Sequence, residues 1–248
     1  MAISRLLITL GSLSIFFSST ALSAKPFYGF GREVDSYIRE AAQRYQVSEA
    51  MLRGLVKMED GWYGKISPTG AVGVGQFTFK TWNELAQLPE GYRIGMRPIT
   101  ARTKGTSADP RHHRYINTLA MGLYVRWIIN QFAERGLKAT DENVYLAYNI
   151  GLDGFHRAVS GRTTWNDLKN MRRNGMTRSM RVSDFLAYQK GRYLENKRIA
   201  NFQRAVPSQS FASASPKRNM ATLQPNIPSP QVMRWVEPAE KLRWINPL

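Results

Sequence analysis

The chain contains no cysteine. That excludes disulfides, thiolate zinc sites, a cysteine nucleophile and a lipid anchor, which needs a cysteine at the processed N-terminus. Acidic residues are scarce: 18 Asp and Glu stand against 35 Lys and Arg, a formal net charge of +17. The imbalance points to an anionic partner or surface without saying which anion. Histidine is limited to His112, His113 and His156. Adjacent histidines on a helix point away from one another, so no metal constellation is expected, and no cofactor motif is found. Strand signals are few, and beyond the first 24 residues no run is long and apolar enough to span a bilayer. With 248 residues, 43% of them hydrophobic, the chain can hold one or two domains and a sizeable core. Collagen-like, wholly disordered and polytopic membrane classes are excluded.

What is present begins with an export pattern. Arg5 gives a positive start, Leu6 to Phe17 is uncharged and mostly apolar, and Ala21-Leu22-Ser23 offers small residues to a signal peptidase. Residues 1–24 are therefore expected to be removed after Ser23 or Ala24, placing the protein in the periplasm. The alternative is a retained anchor, since the uncharged run extends to Ala24. Residues 25–204 read as one folded domain. Helices are predicted over Glu33–Tyr45, from an N-cap at Ser48 through Glu59, over Phe79–Leu88, from Asp109-Pro110 to about Arg135, over Asp141–Ile150 behind Thr140, over Thr164–Arg172 and over Ser183–Arg204. Leu88 to Asp109 reads as a long loop. Seven of the twelve prolines fall in residues 205–248, among Ser, Gln and Asn. That composition predicts a flexible tail, in which Trp235 and Trp244 are either docking anchors or merely tolerated.

Glu59 is the residue that calls for a chemical explanation. It lies on the apolar face of its helix, one turn after Leu55 and Val56, with Trp62 and Tyr63 close behind. Desolvation there would keep the carboxyl protonated near neutrality, as a general acid requires. Alternatively, it is a helix-end carboxylate facing water or paired with an arginine. Ser67 to Phe77 follows, with three glycines and an alanine between Gly70 and Gly75. Small residues at that density let backbone approach a ligand or a helix closely, whereas the order of residues does not fit a phosphate loop. Gln76 adds one amide suited to orienting a carboxyl or an acetamido group.

Together these residues resemble the soluble lytic transglycosylase family, relatives of goose-type lysozyme. The family's helix ending in Glu-Ser corresponds to Met58-Glu59-Asp60. Its Ser-x-x-Gly-Ala-x-Gly-Leu-Met-Gln run corresponds to Ser67 to Gln76, and its Ala-Tyr-Asn-x-Gly to Ala147-Tyr148-Asn149-Ile150-Gly151. The three stand in the family order over roughly Asp35 to Ser160. The chain departs in two places: Asp60 replaces the serine after the acid, and Val74-Gly75 replaces Leu-Met, which alters the lining of the sugar groove. Asp60 would either repel Glu59 and raise its pKa or face solvent.

The resemblance implies an all-α, lysozyme-like domain that cleaves the β-1,4 bond between N-acetylmuramic acid and N-acetylglucosamine in peptidoglycan. Glu59 would be the catalytic residue. Ser67, Gln76, Tyr148 and Asn149 would bind substrate, together with a late-helix tyrosine, Tyr188 or its rival Tyr193. Because only one well-placed carboxyl is evident, the expected route closes a 1,6-anhydro ring without consuming water. A hydrolytic muramidase of the same fold would need a second carboxylate, for which Asp60 and Asp153 are candidates. A non-catalytic wall-binding module is a further alternative. Nucleic acid is the partner the charge alone would suggest, and no nucleic-acid motif supports it. Small exported enzymes of this type often open the wall for a secretion, conjugation or pilus machine, which the tail could bind.

Overall fold

The computed structural model describes residues 27–202. The segments read as an export signal and as a tail, 1–24 and 205–248, lie outside the described residues. Within them the chain forms nine α-helices: α1 Arg32–Tyr45, α2 Glu49–Glu59, α3 Phe79–Ala86, α4 Pro89–Arg93, α5 Arg114–Glu134, α6 Asp141–Ile150, α7 Leu152–Val159, α8 Trp165–Arg173 and α9 Val182–Ala200. Apart from an isolated antiparallel bridge between Val72 and Phe77, the described residues contain no β-structure. The fold is all-α and lysozyme-like, as expected. No described helix is long and apolar enough to cross a membrane.

Helix starts follow local chemistry. The hydroxyl of Ser48 accepts from the Met51 N–H (3.1 Å) and that of Thr140 from Asn143 (3.3 Å), each satisfying a donor that the first turn leaves unpaired. At Thr164 the cap is reciprocal, with the Asp167 carboxylate returning to the Thr164 N–H. The packing is organised around α5, whose residues Asn117 to Leu123 are all buried, so it has no solvent face over that stretch. α1 lies against α5 through Ile38, Ala41 and Tyr45, while α2 pairs with α9. Gly54 makes the second pairing close: a Cβ there would fall 2.8 Å from the Lys197 Cβ. Lys197 then reaches Asp141 at 2.6 Å and ties α9 to α6.

Three expectations about elements are corrected. The segment from Leu88 to Asp109 is not all loop, because it opens with the single turn of α4 behind Pro89. The longest helix does not begin at Pro110. Residues Pro110–His112 form one 3-10 turn, His113 is extended, and α5 starts at Arg114. Gly151 does end α6, yet with φ 84° it also leads directly into α7, which the sequence pattern did not suggest.

Candidate active site

Glu59 is the last residue of α2. Asp60 adopts the left-handed conformation (φ 56°) and closes the helix by donating its N–H to the Val56 carbonyl. Leu55 and Val56 are fully buried beneath this end. Glu59 is itself half-buried and lines a cleft of about 490 Å³. Its carboxyl makes no hydrogen bond or ion pair with any described residue. Burial pushes its pKa up from 4.5 to about 7, against a smaller downward pull from the Arg192 charge. Asp60 does not share this environment. Its carboxylate accepts from the Tyr63 hydroxyl (2.9 Å) and the Lys65 ammonium (3.2 Å), and its side chain is 40% exposed. Asp153 is on α7, paired with Arg135 at 2.6 Å. Glu59 is the only carboxylate among the described residues that line the cleft.

The glycine-rich run forms the opposite lip. Ser67, half-buried in the cleft, accepts the Ala71 N–H (2.9 Å) on its hydroxyl and so shapes the turn. Gln76 has φ 48°, uncommon for a residue with a side chain. Its amide nitrogen donates to the carbonyls of Lys65 (2.9 Å) and Gly73 (3.0 Å), so only its oxygen remains for a ligand. Gly75 accepts from the Tyr148 hydroxyl (2.6 Å) and donates to the Asn117 side chain (2.7 Å). A Cβ at this position would fall 2.8 Å from the Phe77 ring and 2.9 Å from the Tyr148 oxygen. Where the family pattern has Met, this protein thus places the Tyr148 hydroxyl and the Phe77 ring.

What holds the loop was not evident from the sequence. Arg111 is 2% exposed; its guanidinium donates to the carbonyls of Gly70 (2.8 Å) and Phe77 (2.9 Å) and makes a two-pronged pair with Asp109 (3.0 and 2.7 Å). Burial alone would push the Asp109 carboxyl up. The Arg111 guanidinium and two backbone N–H groups outweigh it and hold the pKa at about 2. Asn117 adds bonds to the carbonyls of Val72 (3.3 Å) and Arg111 (2.9 Å). In the sequence Asp109 marked only a helix start; it caps the 3-10 turn by accepting the Arg111 N–H (3.1 Å).

α6 supplies Tyr148 and Asn149 to the cleft. The Tyr148 phenol is pushed well above 10 by burial and then by the nearby charge of Glu59, so it stays protonated and acts as a donor. Asn149 donates to the Asn174 side-chain oxygen (3.2 Å), and its own Oδ1 is buried without a partner. Such an acceptor is paired in most proteins, and here it remains available to a ligand N–H. Asn170, Arg173 and Asn174, at the end of α8, complete the wall; no motif pointed to them. Of the two late tyrosines, Tyr193 is fully buried, stacked on Tyr145 at 4.8 Å and bonded to the Met51 carbonyl. Tyr188 is 46% exposed beneath the Arg192 guanidinium and is not among the residues lining the cleft.

The described residues form a helical domain of the lysozyme-like class that ends a core helix on a carboxyl unpaired among them, inside a cleft lined mostly by amides and hydroxyls. Residues 36–171 match the family described as Transglycosylase SLT domain, more than half of the chain, and the protein belongs to that family. Its activity is of the peptidoglycan lytic transglycosylase type, and its substrate is the cell wall. No curated protein matches the chain.

Proposed function

We propose that the protein cleaves the β-1,4 bond between N-acetylmuramic acid and N-acetylglucosamine and leaves 1,6-anhydromuramic ends. The observation that carries this reading is Glu59, the only carboxyl among the described residues that line the cleft, with a pKa near 7 and no partner among those residues. Half of such groups are protonated at neutral pH, which suits a general acid that must next serve as a base. In this reading Glu59 protonates the leaving oxygen, and the muramic 2-acetamido group stabilises the cationic centre. The Glu59 carboxylate then takes the proton of the C6 hydroxyl, which closes the anhydro ring. The Tyr148 hydroxyl holds the Gly75 backbone at the cleft edge, and the Asn149 and Gln76 oxygens are acceptors for acetamido N–H groups. Ser67 shapes the lip. Hydrolysis of the same bond would need a second carboxylate, and both candidates are committed elsewhere, Asp60 to Tyr63 and Lys65, Asp153 to Arg135.

The protein is further proposed to be exported to the periplasm by residues 1–24 and to open the wall locally for a secretion, conjugation or pilus machine. Glu59→Gln tests the chemistry. The swap is nearly isosteric and should lower wall cleavage by ~10²–10⁴-fold or more, with the fold intact. Mass spectrometry of the wild-type digest should find anhydro ends. Near wild-type lysis by Glu59→Gln would refute the assignment, and reducing muramic ends as the sole product would favour the hydrolytic reading.

A further inference from the structure

α8 places one face along the cleft edge and another towards solvent. Asn170, Arg173 and Asn174, at spacings of three and four, line the cleft. Trp165, Lys169, Arg172 and Arg173, at spacings of four, seven and eight, share the outward side, while Asp167 and Met171 are buried. Trp165 is 66% exposed, with the Lys169 ammonium 5.1 Å from its ring.

The cations on this side lack carboxylates. Some exposed arginines are neutralised locally, Arg181 by Asp184 (3.1 Å) and Arg198 by Glu195 (2.7 Å), while others such as Arg97 and Arg102 make no ion pair with a described residue; what sets this strip apart is that it borders the cleft. Lys169, Arg172 and Arg173 make no ion pair with any described residue. The only acidic residue of α8, Asp167, is committed to Arg157 and Thr164. The carbonyl end of a helix favours cations in its last turn, which eases the crowding of Arg172 and Arg173 but leaves their hydrogen-bonding capacity unused. A guanidinium offers a planar fork that matches a carboxylate in two bonds.

We propose that this face of α8 is a carboxylate-recognising lip for the acidic stem peptides of the glycan strand. Arg173 binds a stem carboxylate at the cleft edge, Lys169 and Arg172 extend the positive strip along the helix, and Trp165 ends it with an apolar platform. The inference rests on the glycan-cleaving reading above and adds to it that the substrate is chosen by its peptide as well as by its sugars. Continuity with the cleft and complementarity of charge favour this occupant. The family match covers Trp165 and Lys169 and ends at residue 171, before Arg172 and Arg173.

The test measures binding and so needs no turnover. The full chain carrying Glu59→Gln, with and without Arg173→Ala, is titrated with three soluble probes: uncrosslinked peptide-bearing glycan strands, the same strands stripped of peptide by an amidase, and the neutral chitin hexasaccharide. Arg173→Ala should weaken binding of peptide-bearing strands on the order of tenfold and should affect the hexasaccharide much less. Arg173→Lys should restore only part of the loss, because an ammonium keeps the charge without the two-pronged geometry. Adding Lys169→Ala and Arg172→Ala should flatten the salt dependence for peptide-bearing strands. Equal losses on all three probes, or none, would overturn the proposal, and an equally large loss on stripped strands would move the contact to the lactyl carboxylate. Failure of the glycan-cleaving reading shows separately, as wild-type protein that releases no anhydro products.

Discussion

Glu59 carries two properties that can be measured apart. If Glu59 is the general acid proposed above, its pKa of about 7 puts it in the useful form below that pH and removes that form above it. The kcat/KM for wall cleavage should therefore fall about tenfold per pH unit on the alkaline side of pH 7, and a flat profile to pH 9 would exclude Glu59 as the titrating acid. Stability moves the same way. The folded-state pKa lies above the unfolded value of 4.5, so the folded protein binds the proton more tightly. The stabilisation is fully present below 4.5 and is lost as pH rises through 7. Glu59→Gln imitates the protonated form and has nothing to lose. The variant should match wild type in denaturant midpoint near pH 4 and exceed it at pH 8, by up to about 3 kcal/mol. A stability difference independent of pH would show that the carboxyl is not desolvated.

At the scale of elements, the catalytic lip is held by the segment that precedes α5. Arg111 satisfies the carbonyls of Gly70 and Phe77, on either side of the glycine run, and is neutralised by Asp109 within the interior. Arg111→Met would leave the Asp109 carboxylate buried without its partner, which costs about 3–5 kcal/mol. Calorimetry should show that loss, and the surviving folded fraction should cleave poorly because Gln76 and Gly75 are no longer fixed. Retention of both stability and activity would refute the clamp. This arrangement also shows why sequence reading found Glu59 and the glycine-rich lip opposite it but missed the Arg111 clamp and the α8 wall. α2 and α6 were legible from Ser48 and Thr140 and from periodic apolar faces, and Glu59, Ser67, Gln76, Tyr148 and Asn149 lie in three short motifs. α4 is too short for a period, and Gly151 reads as a stop although its backbone admits a second helix. Arg111, Asn117 and Asn174 act on residues 25 to 45 positions away. Such contacts follow from how helices meet in space and leave no local mark.

At the scale of the molecule, the family match ends at residue 171 and the last described helix, α9, at Ala200. α9 completes the core by burying Phe185, Gln189, Tyr193 and Ala200, and Arg53 and Asn201 tie its end to α2 through the Ala200 and Ala50 carbonyls. The described residues that line the cleft run from Glu59 to Asn174. Residues 205–248 lie outside the described residues; their composition, with seven of the twelve prolines and two tryptophans on a basic background, is that of a segment that binds partners more readily than it builds a core. Truncation at Val206 separates the two roles. The purified shortened protein should digest peptidoglycan at the wild-type rate and unfold at the same temperature. If the segment recruits the protein to the proposed envelope machine, cells carrying the shortened protein should lose that assembly, and Trp235→Ala with Trp244→Ala in the full chain should reproduce the loss. If the shortened protein is inactive in vitro, the segment completes the catalytic domain and the boundary at 204 is wrong. If cells are unaffected, recruitment through this segment is excluded, and the positive surface alone must bring the enzyme to the anionic wall.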